Sequence, residues 1–146
     1  MNTVGTILKS KADQTVYSIR PEASVFEALQ LMAQKNIGAL LVMEDDRIIG
    51  IVSERDYARK IVLLARSSRD TSLRDIMTTS VMYVRPEQGY EECMALMTEN
   101  RLRHLPVMLD GKLIGLVSIG DLVKHIISAQ KFVIAQMEQY ISGQPI

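Results

Sequence analysis

Two short motifs in this chain carry side chains that could hold a small polar molecule. Ser53 precedes Asp56 by three positions, and Ser118 precedes Asp121 by the same interval. An ionised carboxylate offers two acceptor oxygens, which suits the two adjacent hydroxyl donors of a diol such as ribose. Free backbone N–H groups at a helix start favour phosphate. Ser-x-x-Asp is also a helix-capping box that needs no ligand, and such caps are common.

Both motifs belong to a longer internal repeat. The segment Val16–Glu22 aligns with Val81–Glu87 at an offset of 65 positions (81 − 16), and both contain Arg-Pro-Glu. The alignment continues without a gap as far as the pair Val62 and Ile127. An ungapped match of this length indicates a duplication, so each copy should fold in the same way.

Each copy has the pattern of a β-α-β-β-α unit. A short apolar run, a stretch with helical apolar spacing, two β-rich runs joined by a turn, and a second helical stretch follow one another. We therefore predict an α/β (α+β) fold of two repeats related by pseudo-two-fold symmetry, plus a C-terminal helix. The predicted domains are residues 1–65, 66–129 and 130–146. The predicted first strands are Val16–Ile19 and Val81–Val84, and the second helices run from Glu54 to about Ala65 and from Ile119 to about Ser128.

Composition restricts the classes of partner. Lys plus Arg number 17 and Asp plus Glu number 17 in 146 residues, so no net field attracts nucleic acid or an anionic membrane. The apolar runs are strand-sized, so no membrane span is expected. The single cysteine, Cys93, cannot form an internal disulfide, which favours the cytoplasm. No metal-ligand spacing and no nucleophile–base pattern is visible, so we predict no metal and no enzyme.

The recurring element Gly50–Asp56 and Gly115–Asp121, with its upstream strand, helix and hairpin, resembles paired cystathionine-β-synthase-type (CBS) domains. The resemblance covers Val16 to Ile127 and, more loosely, the leading helices. Paired modules of this family commonly bind adenosine-containing ligands in clefts between the repeats. The resemblance implies a non-enzymatic sensor of AMP, ADP, ATP or NAD(H), with S-adenosylmethionine as a further possibility. A ligand-free structural module that dimerises for a partner protein is the alternative.

The resemblance also assigns roles to individual residues. Asp56 and Asp121 are expected to hold the ribose. The phosphate candidates are Ser53, Arg55, Ser118, Arg103 and His104. Adenine contacts are expected from Val16, Tyr17, Ser18, Ile19, Val81, Met82, Tyr83, Gly38, Ala39 and Pro106. The first copy has small residues where the second is basic, so one cleft should take a larger or less charged ligand.

Two of these candidates have an ordinary structural interpretation as well. Arg55 could be a solvated helix residue, and His104 a hydrogen-bonded residue of the cleft. The expected partners are an adenosine-containing small molecule, a second copy of the chain and an effector protein that the sequence does not identify. A homodimer would use the helical faces and the apolar stripe that runs from Phe132 to Ile141.

Overall fold

The computed structural model describes residues 2–143. In chain order its elements are α1 (Val4–Ser10), β1 (Ser18–Ile19), α2 (Val25–Lys35), β2 (Ala39–Glu44), β3 (Arg47–Ser53), α3 (Glu54–Tyr57), a π-helical turn (Ala58–Val62), a 3-10 turn (Leu73–Asp75), α4 (Tyr90–Asn100), β4 (His104–Leu109), β5 (Lys112–Ser118) and α5 (Ile119–Ser142). They form two compact units. The contiguous unit runs from Val16 to Met82, and the split unit combines the chain up to Thr15 with the chain from Tyr83 onward.

The contiguous unit is built on a three-stranded sheet in the order β1-β2-β3. β1 runs parallel to β2, with Ser18 beside Leu41, and β2 runs antiparallel to β3. The turn between β2 and β3 places Asp45 and Asp46 at φ values of 51° and 63°. Aspartate tolerates this left-handed region better than most residues, so a two-residue turn can close the hairpin.

The core of the contiguous unit draws on residues beyond its last helix. Leu73 and Ile76 are as fully buried as the strand residues, and Ile51 and Thr78 exchange backbone hydrogen bonds of 3.0 and 2.9 Å. The segment after the 3-10 turn therefore pairs with the free edge of β3. The core residues are Val25, Ala28, Met32, Leu40, Val42, Val52, Ile61, Leu73 and Ile76.

The split unit repeats the hairpin with β4 and β5. Asp110 and Gly111 form its turn at φ values of 51° and 77°, which confirms the turn predicted between the two β-rich runs of the second copy. Both hairpins shift register at the same place, between Val42 and Met43 and between Val107 and Met108. The duplication is therefore preserved down to an irregularity within the strands.

The first strand predicted for the second copy is reduced to a single bridge between Val84 and Val107. Val84 accepts from the N–H of Met108 and donates to the carbonyl of Pro106, both at 2.9 Å. The next bond of a parallel ladder would need an N–H at position 106, which proline lacks. Leu41 has that N–H at the equivalent position of the first copy, where the ladder forms.

The N-terminal helix α1 packs within the split unit. Thr3 caps it, Val4, Ile7 and Leu8 are buried, and Val4 donates to the carbonyl of Gln88 at 2.9 Å. Gly115 of β5 lies directly under Leu8, because a Cβ built on this glycine would lie 2.5 Å from Leu8 Cδ1. The leading helix of the chain thus contributes to the unit that holds the second repeat.

Two helices differ from the sequence prediction. The expected helix from Glu54 to about Ala65 is α-helical only to Tyr57 and then widens into the π-helical turn, where Leu63 donates to the carbonyl of Ala58 at 3.1 Å. The helix expected to end near Ser128 continues to Ser142 as one element. The residues that follow Ser128 include good helix formers and no proline or glycine until Gly143, which caps the end.

Candidate functional site

The start of α5 holds Asp121 in a reciprocal cap. Ser118 Oγ accepts from the Asp121 N–H at 3.1 Å, and Asp121 Oδ2 accepts from the Ser118 N–H at 2.8 Å. This capping box satisfies two backbone donors that a helix start leaves unpaired. The carboxylate is therefore fixed in place by the backbone and is one-fifth exposed.

A lysine from the other end of the chain binds the same carboxylate. Lys11 follows α1, and its Nζ lies 3.0 Å from Asp121 Oδ2 while donating to the carbonyl of Leu116 at 2.8 Å. Both side chains of this ion pair are largely shielded from solvent. Nothing in the local pattern around Lys11 pointed to this pair, because the two residues meet only through the packing of α1.

Arg103 and His104 lie beside the same helix start. The Ile119 N–H donates to the carbonyl of Arg103 at 2.8 Å, and His104 is the strand partner of Ser118. Burial lowers the pKa of His104; the Asp121 carboxylate opposes that shift, and Lys11 and Arg103 reinforce it. Four of the predicted residues, Ser118, Asp121, Arg103 and His104, are thus brought together by one strand-to-helix junction.

A cavity of about 400 Å³ opens beside Asp121 within the split unit. That volume lies in the range of small-molecule sites. The lining residues are Ile7, Ser10, Lys11, Ala12, Asp13, Asp121, Lys124, His125 and Ser128. Of the predicted site residues, Asp121 alone contributes to this lining, whereas the lysines and His125 carry no signal in the sequence motif.

The contiguous unit has the same cap with a different cation. Asp56 Oδ2 accepts from Ser53 N–H at 2.9 Å and from Ser53 Oγ at 3.2 Å. Lys60, one turn further along, places Nζ 3.2 Å from Asp56 Oδ1 and donates to the carbonyl of Ile76 at 2.7 Å. The position equivalent to Lys60 in the second copy is His125, whose ring instead lies tilted by 60° against that of Tyr90, with the ring centres 5.6 Å apart. Each aspartate therefore has a lysine partner, but from a different part of the chain.

The small residues predicted for the first copy also lie at the helix start. The carbonyl of Gly38 accepts from the Glu54 N–H at 3.1 Å, and Ala39 is the strand partner of Ser53. Arg103 and His104 hold these two places in the split unit, so the split unit adds the cationic Arg103 and the imidazole of His104 where the contiguous unit has glycine and alanine. Arg55 is exposed on α3.

The remaining adenine candidates differ in their surroundings. Tyr17 is half-buried beneath the ammonium of Lys35, which lies 5.4 Å from its ring, and Tyr83 is exposed. Ser18 is exposed, Pro106 is buried, and Val16, Ile19, Val81 and Met82 are half-buried. Ligand contact by any of these residues stays a prediction.

Three further features of the described residues bear on the chemistry available. The described part of the chain holds no cluster of three His, Cys, Asp or Glu side chains able to ligate a metal ion. Within residues 2–143, no helix combines the length and apolar character that crossing a bilayer requires. Cys93 is buried in α4, where burial raises the pKa of its thiol to about 11, so it stays protonated at neutral pH.

Comparisons with known proteins place this arrangement among its relatives. A family model described as the CBS domain matches residues 7–63 and again residues 73–128. The chain is 39% identical over 149 residues to the mitochondrial CBS domain-containing protein CBSX3 of Arabidopsis thaliana, covering 97% of this chain and 72% of that protein. These matches confirm the predicted resemblance.

Solved structures agree with the fold. A protein with CBS domains from Burkholderia ambifaria MC40-6 is 58% identical, with a TM-score of 0.85, covering 88% of this chain and 96% of that chain. The CBS domain pair of protein MJ0100, solved with methylthioadenosine and S-adenosylmethionine, has a TM-score of 0.73 at 20% identity, covering 88% and 97% of the two chains. The α/β fold with two repeats and a C-terminal helix is confirmed.

Proposed function

Because the chain belongs to the CBS-domain family, we propose that it is a regulatory module that binds an adenine nucleotide and catalyses no reaction itself. The observation that carries this proposal is the duplicated helix start, where a capped aspartate is held beside a lysine in each unit. The CBS domain pair of protein MJ0100 binds two adenosine-containing ligands. In this chain we propose that Asp56 and Asp121 accept hydrogen bonds from the ribose hydroxyls of a ligand of the same chemical class.

The proposed ribose role is compatible with the caps. A carboxylate has about four lone-pair positions on its two oxygens. The cap of α5 and Lys11 both use Asp121 Oδ2, and the cap of α3 uses Asp56 Oδ2 while Lys60 contacts Oδ1. Acceptor positions therefore remain for a diol in both units, and a bound ribose need not break either cap.

The two sites should prefer different charges. The site around Asp121 gathers Lys11, Arg103 and Lys124, together with His104, whereas Lys60 is the lysine beside Asp56. Phosphate groups gain most from several cationic donors in a partly dehydrated site. We therefore propose that the Asp121 site takes the nucleotide with more phosphate charge, with Ser118, Arg103 and His104 as its phosphate contacts. Ser53 and Arg55 take that role in the Asp56 site.

Adenine contacts are proposed at the strand starts and at the small or apolar residues that follow them. These residues are Val16, Tyr17, Ser18, Ile19, Gly38, Ala39, Val81, Met82, Tyr83 and Pro106. Backbone groups there would hydrogen-bond the edge of the base, and apolar side chains would cover its faces. AMP, ADP, ATP and NAD(H) all present this adenosine end.

A thermal-shift panel tests the proposal. Wild type, Asp56→Asn and Asp121→Asn are each melted with AMP, ADP, ATP, NAD, NADH and S-adenosylmethionine. Asparagine can still accept the capping hydrogen bond, so the variants remove the ribose-binding charge while keeping the helix starts. A ligand at about 100 times its Kd adds about 2.7 kcal/mol of stability. We expect ATP or ADP to raise the wild-type Tm and Asp121→Asn to abolish most of that rise.

Matched controls separate the sites from general effects. Asp110→Asn removes a carboxylate from an exposed turn and should leave every ligand shift unchanged. If no ligand shifts the wild type, and no nucleotide co-purifies with it, the nucleotide proposal is wrong. The chain would then be better described as a structural module that assembles with a partner protein.

We further propose that the module works in the cytoplasm as a homodimer that an effector protein recognises. A lone buried cysteine suits a reducing compartment. Regulation requires only that the conformations read by the effector differ in nucleotide affinity.

A further inference from the structure

The C-terminal half of α5 exposes a large apolar surface. Between Ala129 and Ser142 only Gln136 is half-buried, and every other residue is exposed. The large apolar side chains in this stretch are Phe132, Val133, Ile134, Met137, Tyr140 and Ile141, with exposures between 50% and 83%. A helix of this length is marginal in water unless its apolar face packs against something. The segment therefore needs a partner that covers this face.

Apart from Phe132, which takes an f position, the apolar residues of this surface follow the spacing of a coiled coil. Ile127, Ile134 and Ile141 recur at intervals of seven, and Met137 follows Ile134 by three positions. These are the a and d positions of a heptad, and Gln130 takes the remaining d position. Val133 and Tyr140 flank the line at the g positions. A seam of this kind fits another helix more closely than it fits a flat surface.

The two charges of the segment indicate which helix that is. Lys131 and Glu138 are the charged residues between Ala129 and Ser142, and both occupy e positions of the heptad. In an antiparallel pair the a positions pack against the d positions and the e positions lie beside each other. A two-fold axis between positions 135 and 136 therefore sets Ile134 against Met137 and brings Lys131 beside Glu138 of the second helix, twice. In a parallel pair each e position faces the g position five residues earlier on the partner helix, so Ile126 and Val133 would leave both charges unpaired.

We propose that the exposed half of α5 pairs antiparallel with the same segment of a second copy of this chain. Ile134 and Met137 lie on either side of the axis, the seam of isoleucine and methionine is buried, and two Lys131–Glu138 pairs set the register. This inference rests on the proposed homodimer and adds its surface, orientation and register. A dimer built elsewhere on the chain would leave the homodimer standing and overturn the pairing.

Charge reversal at the e positions tests the register. Lys131→Glu and Glu138→Lys each replace two attractive contacts by two like-charged ones, and we expect each to raise the dimer Kd about tenfold. The double variant should restore the wild-type Kd, and an equal mixture of the single variants should form heterodimers. Sedimentation equilibrium measures each Kd, with the exposed Lys112→Glu as the control that should change nothing.

Thiol cross-linking tests the orientation. Ile134→Cys lies near the axis, so its thiols should link two copies through a short cross-linker. Ile141→Cys would lie opposite position 130, about 17 Å from its own counterpart along the helices, and should not link. The wild type is the blank, because Cys93 is buried. Equal linkage at both positions would show a parallel pair and overturn the inference.

Two further results would also overturn it. If the dimer forms but its Kd is unchanged by both charge reversals, the dimer uses a different surface. A chain that stays monomeric while α5 binds phospholipid vesicles, or folds back onto its own unit, removes the homodimer together with the pairing. The thermal-shift panel measures nucleotide binding, so its result tests the nucleotide proposal independently of the dimer.

Discussion

At the scale of single residues, Asp121 combines an observed helix cap with a proposed ribose contact. Its carboxylate caps the first turn of α5 and forms an ion pair with Lys11. Asp121→Ala would therefore remove the cap as well as the charge and lower the free energy of unfolding by about 1 kcal/mol or more. Asparagine separates the two effects, because its amide oxygen can still accept the Ser118 N–H.

His104 should make the stability of the chain depend on pH. Its pKa in the folded state lies below the ordinary value, chiefly because it is buried. Below about pH 6.5 the unfolded chain then binds a proton that the folded chain does not, so stability is complete above this pH and falls as the pH drops. We expect His104→Asn to lose less stability between pH 8 and pH 5.5 than the wild type does.

Urea unfolding at a series of pH values measures this difference. Each unit by which the folded pKa is lowered is equivalent to about 1.4 kcal/mol between the two protonation states. Comparing the variant with the wild type cancels the contributions of every other titrating group. Parallel curves for the two proteins would mean that His104 ionises as freely in the folded chain as in the unfolded one.

At the scale of the elements, local chemistry was predictable and long-range contact was not. The hairpin turn at Asp110-Gly111 and both Ser-x-x-Asp caps depend on neighbouring residues, and the sequence predicted them correctly. The first strand of the second copy was predicted to be longer than it is. The sequence held the reason, because Pro106 has no N–H for the next ladder hydrogen bond. The π-helical turn after Tyr57 has no signature in a 3.6-residue pattern. The contact of Lys11 with Asp121 depends on where α1 packs, which no local pattern encodes.

The packing of α1 on β5 should be sensitive to one methyl group. A Cβ at position 115 would lie 2.5 and 2.6 Å from the two methyl carbons of Leu8, which is buried. We expect Gly115→Ala to destabilise the chain by about 1–3 kcal/mol through overpacking. Leu8→Ala alone should cost about 2–5 kcal/mol but considerably less in the Gly115→Ala background. Urea unfolding of the four proteins gives the coupling energy.

Gly50→Ala is the comparison for that cycle. Its Cβ would meet the flexible Met77 side chain at 2.6 Å and the Thr78 carbonyl at 3.1 Å. Methionine adapts more easily than leucine, so this substitution should cost less than Gly115→Ala. Additive effects of Gly115→Ala and Leu8→Ala would show that the two residues do not crowd each other.

At the scale of the whole molecule, the compact units differ from a simple division between the repeats. The contiguous unit includes Leu73, Ile76 and Thr78, which follow its repeat, and the split unit includes α1. The sequence could predict two repeats because the two copies resemble each other. The sequence could not show which unit each segment that precedes a repeat packs into, since both segments lie outside the ungapped alignment.

Fragments test this division directly. A fragment of residues 16–82 keeps Leu73 and Ile76 in the core and Thr78 on the edge of β3, whereas a fragment of residues 1–65 lacks all three. We expect the 16–82 fragment to melt cooperatively and at a higher temperature, although a chain of this size is marginal by itself. Circular dichroism melts compare the two. An equal or higher Tm for the 1–65 fragment would contradict the division.

The split unit also fixes the order in which the elements can pack during synthesis on the ribosome. Lys11 and its acceptor Leu116 are separated by 105 positions. At about 5–20 residues per second, the nascent chain carries α1 for roughly 5–20 s before β5 is made. The contiguous unit can complete its core within that interval. The apolar face of Val4, Ile7 and Leu8 has no β5 to cover it until then, so α1 is made before the contiguous unit but packs after it.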